Sequence, residues 1–256
     1  MTELPVDVME PMVAAPSPVI AEDLVMGKDC HIGRNVVIEK NVALGDRVVI
    51  GDGVFIGEGC RLGDGCRIGP KTVLREHTWI GKDVVIESGV VLGSDGFGFA
   101  QRADGTQFKI PQVGIVEVGN HCRIGARSTV DRATLGKTVV GDRAEIGSLV
   151  MVGHNVKIGP SCKLDHQCGV SGSTKIGEET QVGAQAGLVG HLKVGAKTKI
   201  EAGSGVTKTL PEGTHLKGLF PAMDPAGFQE QQELIQRLPE VVERLDRIEE
   251  KTAAAV

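Results

Sequence analysis

An aliphatic residue, usually followed by glycine, recurs at every sixth position over most of the chain. The pattern stays in phase from Ile20 to Leu92 and again from Val140 to Val206. Six residues are too few for a helical repeat, and such regularity is typical of hexapeptide solenoids. Three hexads make one three-sided coil, with short parallel strands stacked about 4.8 Å apart. The sequence therefore predicts a mainly β fold, a parallel β-helix of about nine coils.

Two interruptions break the pattern. The first is a loop insertion at about residues 94–115, and the second is a four-residue insertion from Gly136 to Val139. A long loop inside a compact solenoid is more often functional than idle. We therefore divide the chain into a leader (1–19) that we expect to be poorly ordered, a β-helix (20–213), and a C-terminal linker with helices (214–256).

The tail changes to helical spacing. Phe228, Leu234 and Ile235 predict one short helix, and Pro239 favours the start of another. Two heptads are too few for a coiled coil. We expect an amphipathic helix that packs against symmetry mates through an apolar stripe: Leu238, Val241 or Val242, Leu245 and Ile248.

Composition narrows the function classes. Aromatic residues make up 3 % of the chain and tyrosine is absent, as a narrow aliphatic prism requires. The net charge of −5 argues against binding to nucleic acid. No apolar run is long enough to span a membrane, and the start lacks the regions of a signal peptide. A cytoplasmic location is expected.

All six cysteines fall in the fifth position of a hexad, counted from the aliphatic residue. Elsewhere that position holds small or β-branched residues such as Val36, Thr72 and Ala186. Because a free cysteine packs as a small hydrophobe, we predict core thiols rather than disulfides or a metal cluster. They are Cys30, Cys60, Cys66, Cys122, Cys162 and Cys168.

The repeat brings three polar positions to one edge of the prism. His154 and Gly172 are third-position residues one coil apart, and His191 follows one coil later in the fourth position. They should spread over about 10 Å. A histidine suits a general base, and the Gly172 N–H suits an oxyanion donor. We interpret the remaining histidines as structural or surface residues: His31, His77, His121, His166 and His215.

A zinc site is the competing interpretation, since gamma-class carbonic anhydrases use hexapeptide repeats and three histidines. Zinc normally takes three protein ligands plus an open position. His154 and His191 have only the remote His121 as a third. We therefore expect no metal.

Several non-repetitive strings are more specific than the hexads. They are Gly93-Ser94-Asp95-Gly96-Phe97-Gly98-Phe99-Ala100, Lys109-Ile110-Pro111-Gln112, Val130-Asp131-Arg132, His154-Asn155-Val156, Ser171-Gly172-Ser173-Thr174-Lys175-Ile176-Gly177, Gly190-His191 and Ser204-Gly205-Val206-Thr207-Lys208. Over residues 20–222 the chain resembles the UDP-(3-O-acyl)glucosamine N-acyltransferases of the lipid A pathway.

The resemblance implies a left-handed β-helix, against the usual crossover hand, assembled as a homotrimer with active sites between prisms. His154 matches the family's base, which takes a proton from the sugar 2-amine as it attacks an acyl thioester on acyl carrier protein. Gly172 matches the oxyanion donor. The predicted substrate-binding residues are His191, Asn155, Phe97 and Phe99. No cofactor is bound, and the acyl-phosphopantetheine of the carrier is the donor.

This chain departs from the family pattern in two ways. It leaves no room for the N-terminal uridine-binding domain, and Gly147 and Ser148 stand where the family has an Asp-Asn pair. Asp131 or Asp165 is a candidate replacement for the acid that supports the base. Two alternatives follow: an acyl-CoA or acetyl-CoA dependent N-acyltransferase on another nucleotide amino sugar, and a degenerate non-catalytic homologue.

The last coils are basic although the chain is acidic. Complementary charge raises the encounter rate of partners, so these lysines predict docking of the acidic carrier, with ordinary solvated lysines as the alternative. The predicted docking residues are Lys193, Lys197, Lys199 and Lys208.

Overall fold

The structure is a computed structural model that describes residues 17–218 and 225–253. Three parallel sheets form the sides of a prism, with ten, nine and ten strands. Each strand pairs with the strand one coil away, as Val37 does with Val19 and Phe55. The predicted parallel β-helix is confirmed. Residues 1–16 of the expected leader lie outside the described residues.

The strands are short because the chain turns a corner after each one. The first sheet contains Val19–Ile20, Val37–Ile38, Phe55–Ile56, Val73–Leu74, Val91–Ser94, Thr129–Asp131, Met151–Val152, Gly169–Val170, Gly187–Leu188 and Gly205–Val206. The second contains Val25–Met26, Ala43–Leu44, Arg61–Leu62, Trp79–Ile80, Ile115–Val118, Lys137–Val140, Lys157–Ile158, Lys175–Ile176 and Lys193–Val194. The third contains His31–Ile32, Val49–Ile50, Arg67–Ile68, Val85–Ile86, Arg123–Ile124, Glu145–Ile146, Lys163–Leu164, Gln181–Val182, Lys199–Ile200 and His215–Leu216.

The fifth hexad position faces the core, as predicted. Five cysteines are buried, and Cys30 is half-buried near one end of the prism. Four of the five buried thiols donate to corner carbonyls of the following coil, as Cys66 Sγ does to Gly81 O at 3.0 Å. Thr72 Oγ1 donates to Glu87 O in the same way at 3.1 Å. The position therefore selects small side chains that are apolar or carry a single donor.

Both interruptions leave the prism next to the first sheet. The first interruption is the loop insertion expected at about residues 94–115. It contains an antiparallel hairpin formed by Phe99–Gln101 and Gln107–Lys109. The second interruption follows Thr129–Asp131, and most of the residues expected for it, Gly136 to Val139, fall within the four-residue strand Lys137–Val140, which pairs with Ile115–Val118.

The tail forms one helix, Pro225–Ala253, rather than the two expected around Pro239. A proline inside a helix removes one hydrogen bond, and here the helix continues through it. No helix of the described residues is long and apolar enough to cross a membrane. Apolar side chains along the helix remain exposed: Leu234, Ile235, Leu238, Val241, Val242, Leu245 and Ile248.

Thiol reactivity tests this core. Burial raises the pKa of Cys60 and Cys168 to about 12 and of Cys66 and Cys162 to about 11. Only a thiolate reacts quickly with alkylating agents. At pH 8 we expect Cys30 to be labelled first and the five buried thiols only after unfolding, as measured by mass spectrometry.

Full labelling of all six cysteines in guanidinium is the positive control. Rapid labelling of several thiols in the folded protein would contradict the assignment of these residues to the core.

Candidate active site

A groove of about 540 Å³ runs along the first sheet, beside its edge with the second. Its floor consists largely of glycine and aliphatic residues, and its polar groups converge at one end. The lining residues are Phe97, Asp131, Met151, Gly153, His154, Gly169, Val170, Ser171, Gly172, Gly187, Leu188 and Val189. Of the predicted site residues, the groove brings together His154, Gly172 and Phe97.

The His154 imidazole lies directly against the backbone of Gly172. A Cβ atom at Gly172 would stand 2.4 Å from His154 Cε1 and 2.8 Å from each ring nitrogen. Gly96, from the first insertion, closes on the other side, where a Cβ would be 2.6 Å from His154 Cβ. A side chain at either position would therefore displace His154.

The Gly172 N–H is left without an acceptor. At those corners where the next coil offers a polar side chain in register, the third-position N–H can donate to it, as in Lys28 to Asp46 (2.7 Å), Arg34 to Asp52 (2.8 Å), Lys82 to Asn120 (2.9 Å) and Ser148 to His166 Nδ1 (2.8 Å). The equivalent residue for Gly172 is Gly190, which has no side chain. Among the described residues this N–H donates to nothing, so it is free to meet an oxyanion in the groove.

His154 keeps its ring nitrogens open. The histidine rings that hydrogen-bond within the described residues belong to His166 and His215. A half-buried imidazole with both nitrogens unengaged, beside a free N–H, is an arrangement that can accept a proton and stabilise negative charge.

A buried carboxyl group stands near this imidazole. Asp131 is 4 % exposed and accepts a hydrogen bond from Ser94 Oγ at 2.7 Å. Burial raises the pKa of the Asp131 carboxyl, while the Ser94 hydroxyl and the charge of His154 oppose that rise. Of the two candidate replacement acids, Asp131 lines the His154 groove, whereas Asp165 lines a different groove with Gly147, Ser148 and His166.

The two insertions are tied to each other beneath the site. Gln112 is buried; its Oε1 accepts from Thr134 Oγ1 at 3.0 Å, and its Nε2 donates to Ile110 O at 2.9 Å. Asn155 Oδ1 accepts from Thr134 N, and its Nδ2 donates to Leu135 O, both at 2.9 Å. The side chain of Asn155 thus holds the second insertion, and its predicted contact with substrate stays a prediction.

An ion-pair network anchors the first insertion. Arg132 is buried and donates to Glu76 Oε1 and Glu76 O, both at 2.6 Å, while its N–H donates to Ser94 O at 2.8 Å. Burial alone would raise the pKa of Glu76, but hydrogen bonds from Arg75 and the charges of Arg75 and Arg132 lower it to about 2. Glu76 is therefore a carboxylate at neutral pH and fixes the strand end that carries Ser94.

The other predicted substrate residues sit at the rim. Phe97 is 86 % exposed and makes an edge contact with Phe99, with ring centroids 5.1 Å apart. His191 is exposed, and its N–H donates to Gly172 O at 3.0 Å. His191 therefore shares the predicted edge with His154, although its side chain is not part of the groove lining.

The four predicted docking lysines do not share one face. Lys193 belongs to the second sheet and Lys199 to the third. Lys199 is already paired with Glu201 at 2.9 Å. Lys197 stands at the corner between them, with φ of 53°.

The sequence did not identify Ser94, Gln112 and Met151 as residues at or beside the groove. They lie in or beside the interruptions, or at an outward strand position, where the hexad pattern gives no spacing argument. The only available signal was the departure of the first insertion from the repeat.

Known acyltransferases are similar to this chain in sequence and in fold. The family model for six-repeat bacterial transferase hexapeptides matches residues 29–63 and 59–94, and the model for the hexapeptide repeat of succinyl-transferase matches 115–165. UDP-3-O-acylglucosamine N-acyltransferase of Cytophaga hutchinsonii is 55 % identical over 163 residues, and that of Ectopseudomonas mendocina is 45 % identical over 187 residues. The predicted resemblance is confirmed.

These alignments cover part of each protein. They include 63 % and 72 % of this chain, and the chain spans 46 % and 52 % of those relatives, about half their length. Among solved structures, the Arabidopsis UDP-N-acetylglucosamine acyltransferase matches 80 % of this chain and 71 % of its own, with a TM-score of 0.71 and 21 % identity. A UDP-N-acetylglucosamine acyltransferase from Bacteroides fragilis matches 88 % and 82 %, with a TM-score of 0.64 and 18 % identity. These structures confirm the β-helix fold.

The contact between His154 and Gly172 gives a test that does not depend on activity. In Gly172→Ala the new methyl group must displace the imidazole, so we expect the NMR resonances of the His154 ring to shift and the ring to lose its fixed position. Gly205→Ala is the matched control, because a Cβ there meets nothing within 4 Å. Unchanged His154 resonances in Gly172→Ala would contradict the geometry.

Proposed function

We propose that this chain is an N-acyltransferase that moves a fatty acyl group from a thioester to the 2-amine of a UDP-linked 3-O-acylglucosamine, a step of lipid A synthesis. The observation that carries the proposal is the position of an unengaged imidazole, His154, against Gly172, whose N–H has no acceptor among the described residues. The similarity to UDP-3-O-acylglucosamine N-acyltransferases supplies the substrate class.

The chemistry follows from these two groups. The sugar amine attacks the thioester carbonyl, and His154 takes the proton that the amine loses as the C–N bond forms. The carbonyl oxygen becomes an oxyanion and accepts a hydrogen bond from Gly172 N–H. When the C–S bond breaks, the protonated imidazole returns its proton to the departing thiolate. The products are an amide and a free thiol, and the enzyme is restored.

Asp131 is the positioning residue in this proposal. Its carboxylate, held by Ser94, favours the imidazolium that forms when His154 accepts a proton. Asp131 thereby performs the supporting role that Gly147 and Ser148 cannot perform. Arg132 and Glu76 act one step further away, because they hold the strand end that presents Ser94.

The donor is the acyl-phosphopantetheine of acyl carrier protein, and the active unit is a homotrimer. Two features support assembly. The groove is open along one side of the prism, with Met151 and Val189 exposed in its wall. The helix Pro225–Ala253 carries apolar residues at alternating three- and four-residue spacing, namely Leu234, Leu238, Val241, Leu245 and Ile248, which is the spacing of helices that pack against copies of themselves.

Substitution of the base tests the proposal directly. In His154→Ala we expect transfer to fall by about 10²- to 10⁴-fold, the usual contribution of general base catalysis, with the same sedimentation behaviour as the wild type. His166→Ala is the control, since His166 lies on another edge and accepts a hydrogen bond from Ser148 N–H. Undiminished turnover in His154→Ala would refute the mechanism.

The positioning role of Asp131 has a pH signature. In Asp131→Asn we expect kcat to fall while KM for the sugar is unchanged, because the lost charge acts on the imidazolium. Since the pKa of Asp131 is raised, the wild type loses its carboxylate as the pH falls through that raised value. The ratio of wild-type to variant kcat should therefore be largest near neutral pH and approach one in acid. A ratio independent of pH would indicate a purely structural role.

Mass spectrometry of the products separates the possible donors. Incubation with a UDP-amino sugar and either acyl carrier thioester or acyl-CoA should give the amide from the carrier thioester. Amide formed only from acyl-CoA or acetyl-CoA would assign the alternative donor. Calorimetric binding of sugar without turnover over hours would favour a non-catalytic homologue that lacks the Asp-Asn pair.

A further inference from the structure

Three lysines form a vertical row on the outer face of the second sheet. Lys157 pairs in register with Lys175, and Lys175 pairs in register with Lys193. All three side chains are exposed, whereas the neighbouring residues Ile158 and Ile176 are buried. We call this set (Lys157, Lys175 and Lys193) the lysine ladder. Its Cα atoms recur at the strand spacing of about 4.8 Å.

The lysine ladder has no ion-pair partner within the described residues. Lysine ion pairs within the described residues involve Lys82, Lys109, Lys137, Lys163 and Lys199, and none of them includes the ladder. Like charges directly opposite each other destabilise neighbouring strands. Binding of a negatively charged partner would offset the repulsion between the stacked lysines.

The third sheet shows that stacked charges in this solenoid need not repel. There Arg123, Glu145 and Lys163 follow one another in register, so that opposite charges alternate. Lys163 pairs with Glu145 at 3.4 Å, and Arg123 pairs with Glu87 at 3.0 Å. The unbroken row of positive charge is therefore a property of the second sheet.

The ladder also runs parallel to the catalytic edge. Each ladder lysine lies three residues beyond a residue of that edge: Lys157 beyond His154, Lys175 beyond Gly172, and Lys193 beyond Gly190. The ladder lines a groove of about 420 Å³ whose far wall contains Thr209 and Leu210. A partner seated in this groove would lie within reach of the His154 site, on the adjacent face.

The spacing of the ladder fits one kind of partner surface. Carboxylates three or four residues apart on a helix recur once per turn, about 5.4 Å. This rise is close to the rung spacing of about 4.8 Å, so an acidic helix laid along the prism axis meets one lysine per turn over three rungs. A nucleic-acid strand fits less well, because the net charge of the chain is −5.

We propose that the lysine ladder is the docking surface for an acidic helix of the protein that delivers the acyl thioester. The inference rests on the proposed function, since it takes the acyl carrier protein to be that partner. It relocates docking from the residues expected from sequence: Lys193 remains, Lys157 and Lys175 join it, and Lys199 is excluded by its pairing with Glu201.

The test compares two triple variants with the same change in charge. The ladder variant is Lys157→Gln, Lys175→Gln and Lys193→Gln. The control variant is Arg67→Gln, Arg123→Gln and Lys163→Gln, all exposed residues on the third sheet. Binding of holo-acyl carrier protein is measured by fluorescence anisotropy at low and high salt, and transfer is measured from the carrier and from a small acyl-pantetheine thioester.

We expect the ladder variant to bind the carrier about tenfold more weakly at low salt and to lose most of the salt dependence, because steering by complementary charge is removed. Its transfer from the small thioester should persist. Carrier binding by the ladder variant equal to that of the control would overturn the inference. So would binding of wild type, but not of the ladder variant, to phosphatidylglycerol vesicles without carrier binding. Failure of the proposed function is distinct: the wild type would transfer from neither donor.

Discussion

The structure depends on one constraint, the register in which each coil hydrogen-bonds to the next. Parallel strands of two residues are too short to hold themselves, and corners supply the remaining bonds. Backbone N–H groups at the corners donate to side chains one coil later, as Arg34 does to Asp52. Inward thiols and hydroxyls donate to corner carbonyls, as Cys66 and Thr72 do. Because neighbouring coils are joined by such bonds, the role of a residue depends on the facing residue in the next coil as well as on its own side chain.

The candidate active site lies where one such hydrogen bond between coils is missing. Gly190 provides no acceptor for Gly172 N–H, and Gly172 provides no side chain to fill the space above His154. The same two glycines therefore expose a donor and admit an imidazole. At some other corners the position of Gly190 carries an acceptor for the preceding coil, as Asp52 and Asn120 do. In the proposed mechanism, this exposed donor and the imidazole act together on the substrate.

The fold and this edge were predictable because both follow from counting residues. The core thiols, the parallel strands and the pairing of His154 with Gly172 all required only the period. The repeat could not predict the geometry of the interruptions. There Ser94 hydrogen-bonds to Asp131 and Gln112 to Thr134, and the sequence separation of these pairs is not a multiple of the repeat. The helix break predicted at Pro239 was wrong because a helix can lose one hydrogen bond at a proline and still continue.

The two insertions hold the carboxylate that we propose as the support for His154. In the resembling family the acid precedes the base by about one hexad, a position set by the solenoid, and here that position carries Gly147 and Ser148. Asp131 instead stands where the first insertion departs and the second begins, fixed through Ser94 and Arg132. Glu76 completes this network from a different coil and stays charged at neutral pH because Arg75 and Arg132 lower its pKa. In the proposed mechanism, a carboxylate held by the insertions supports a base held by the solenoid.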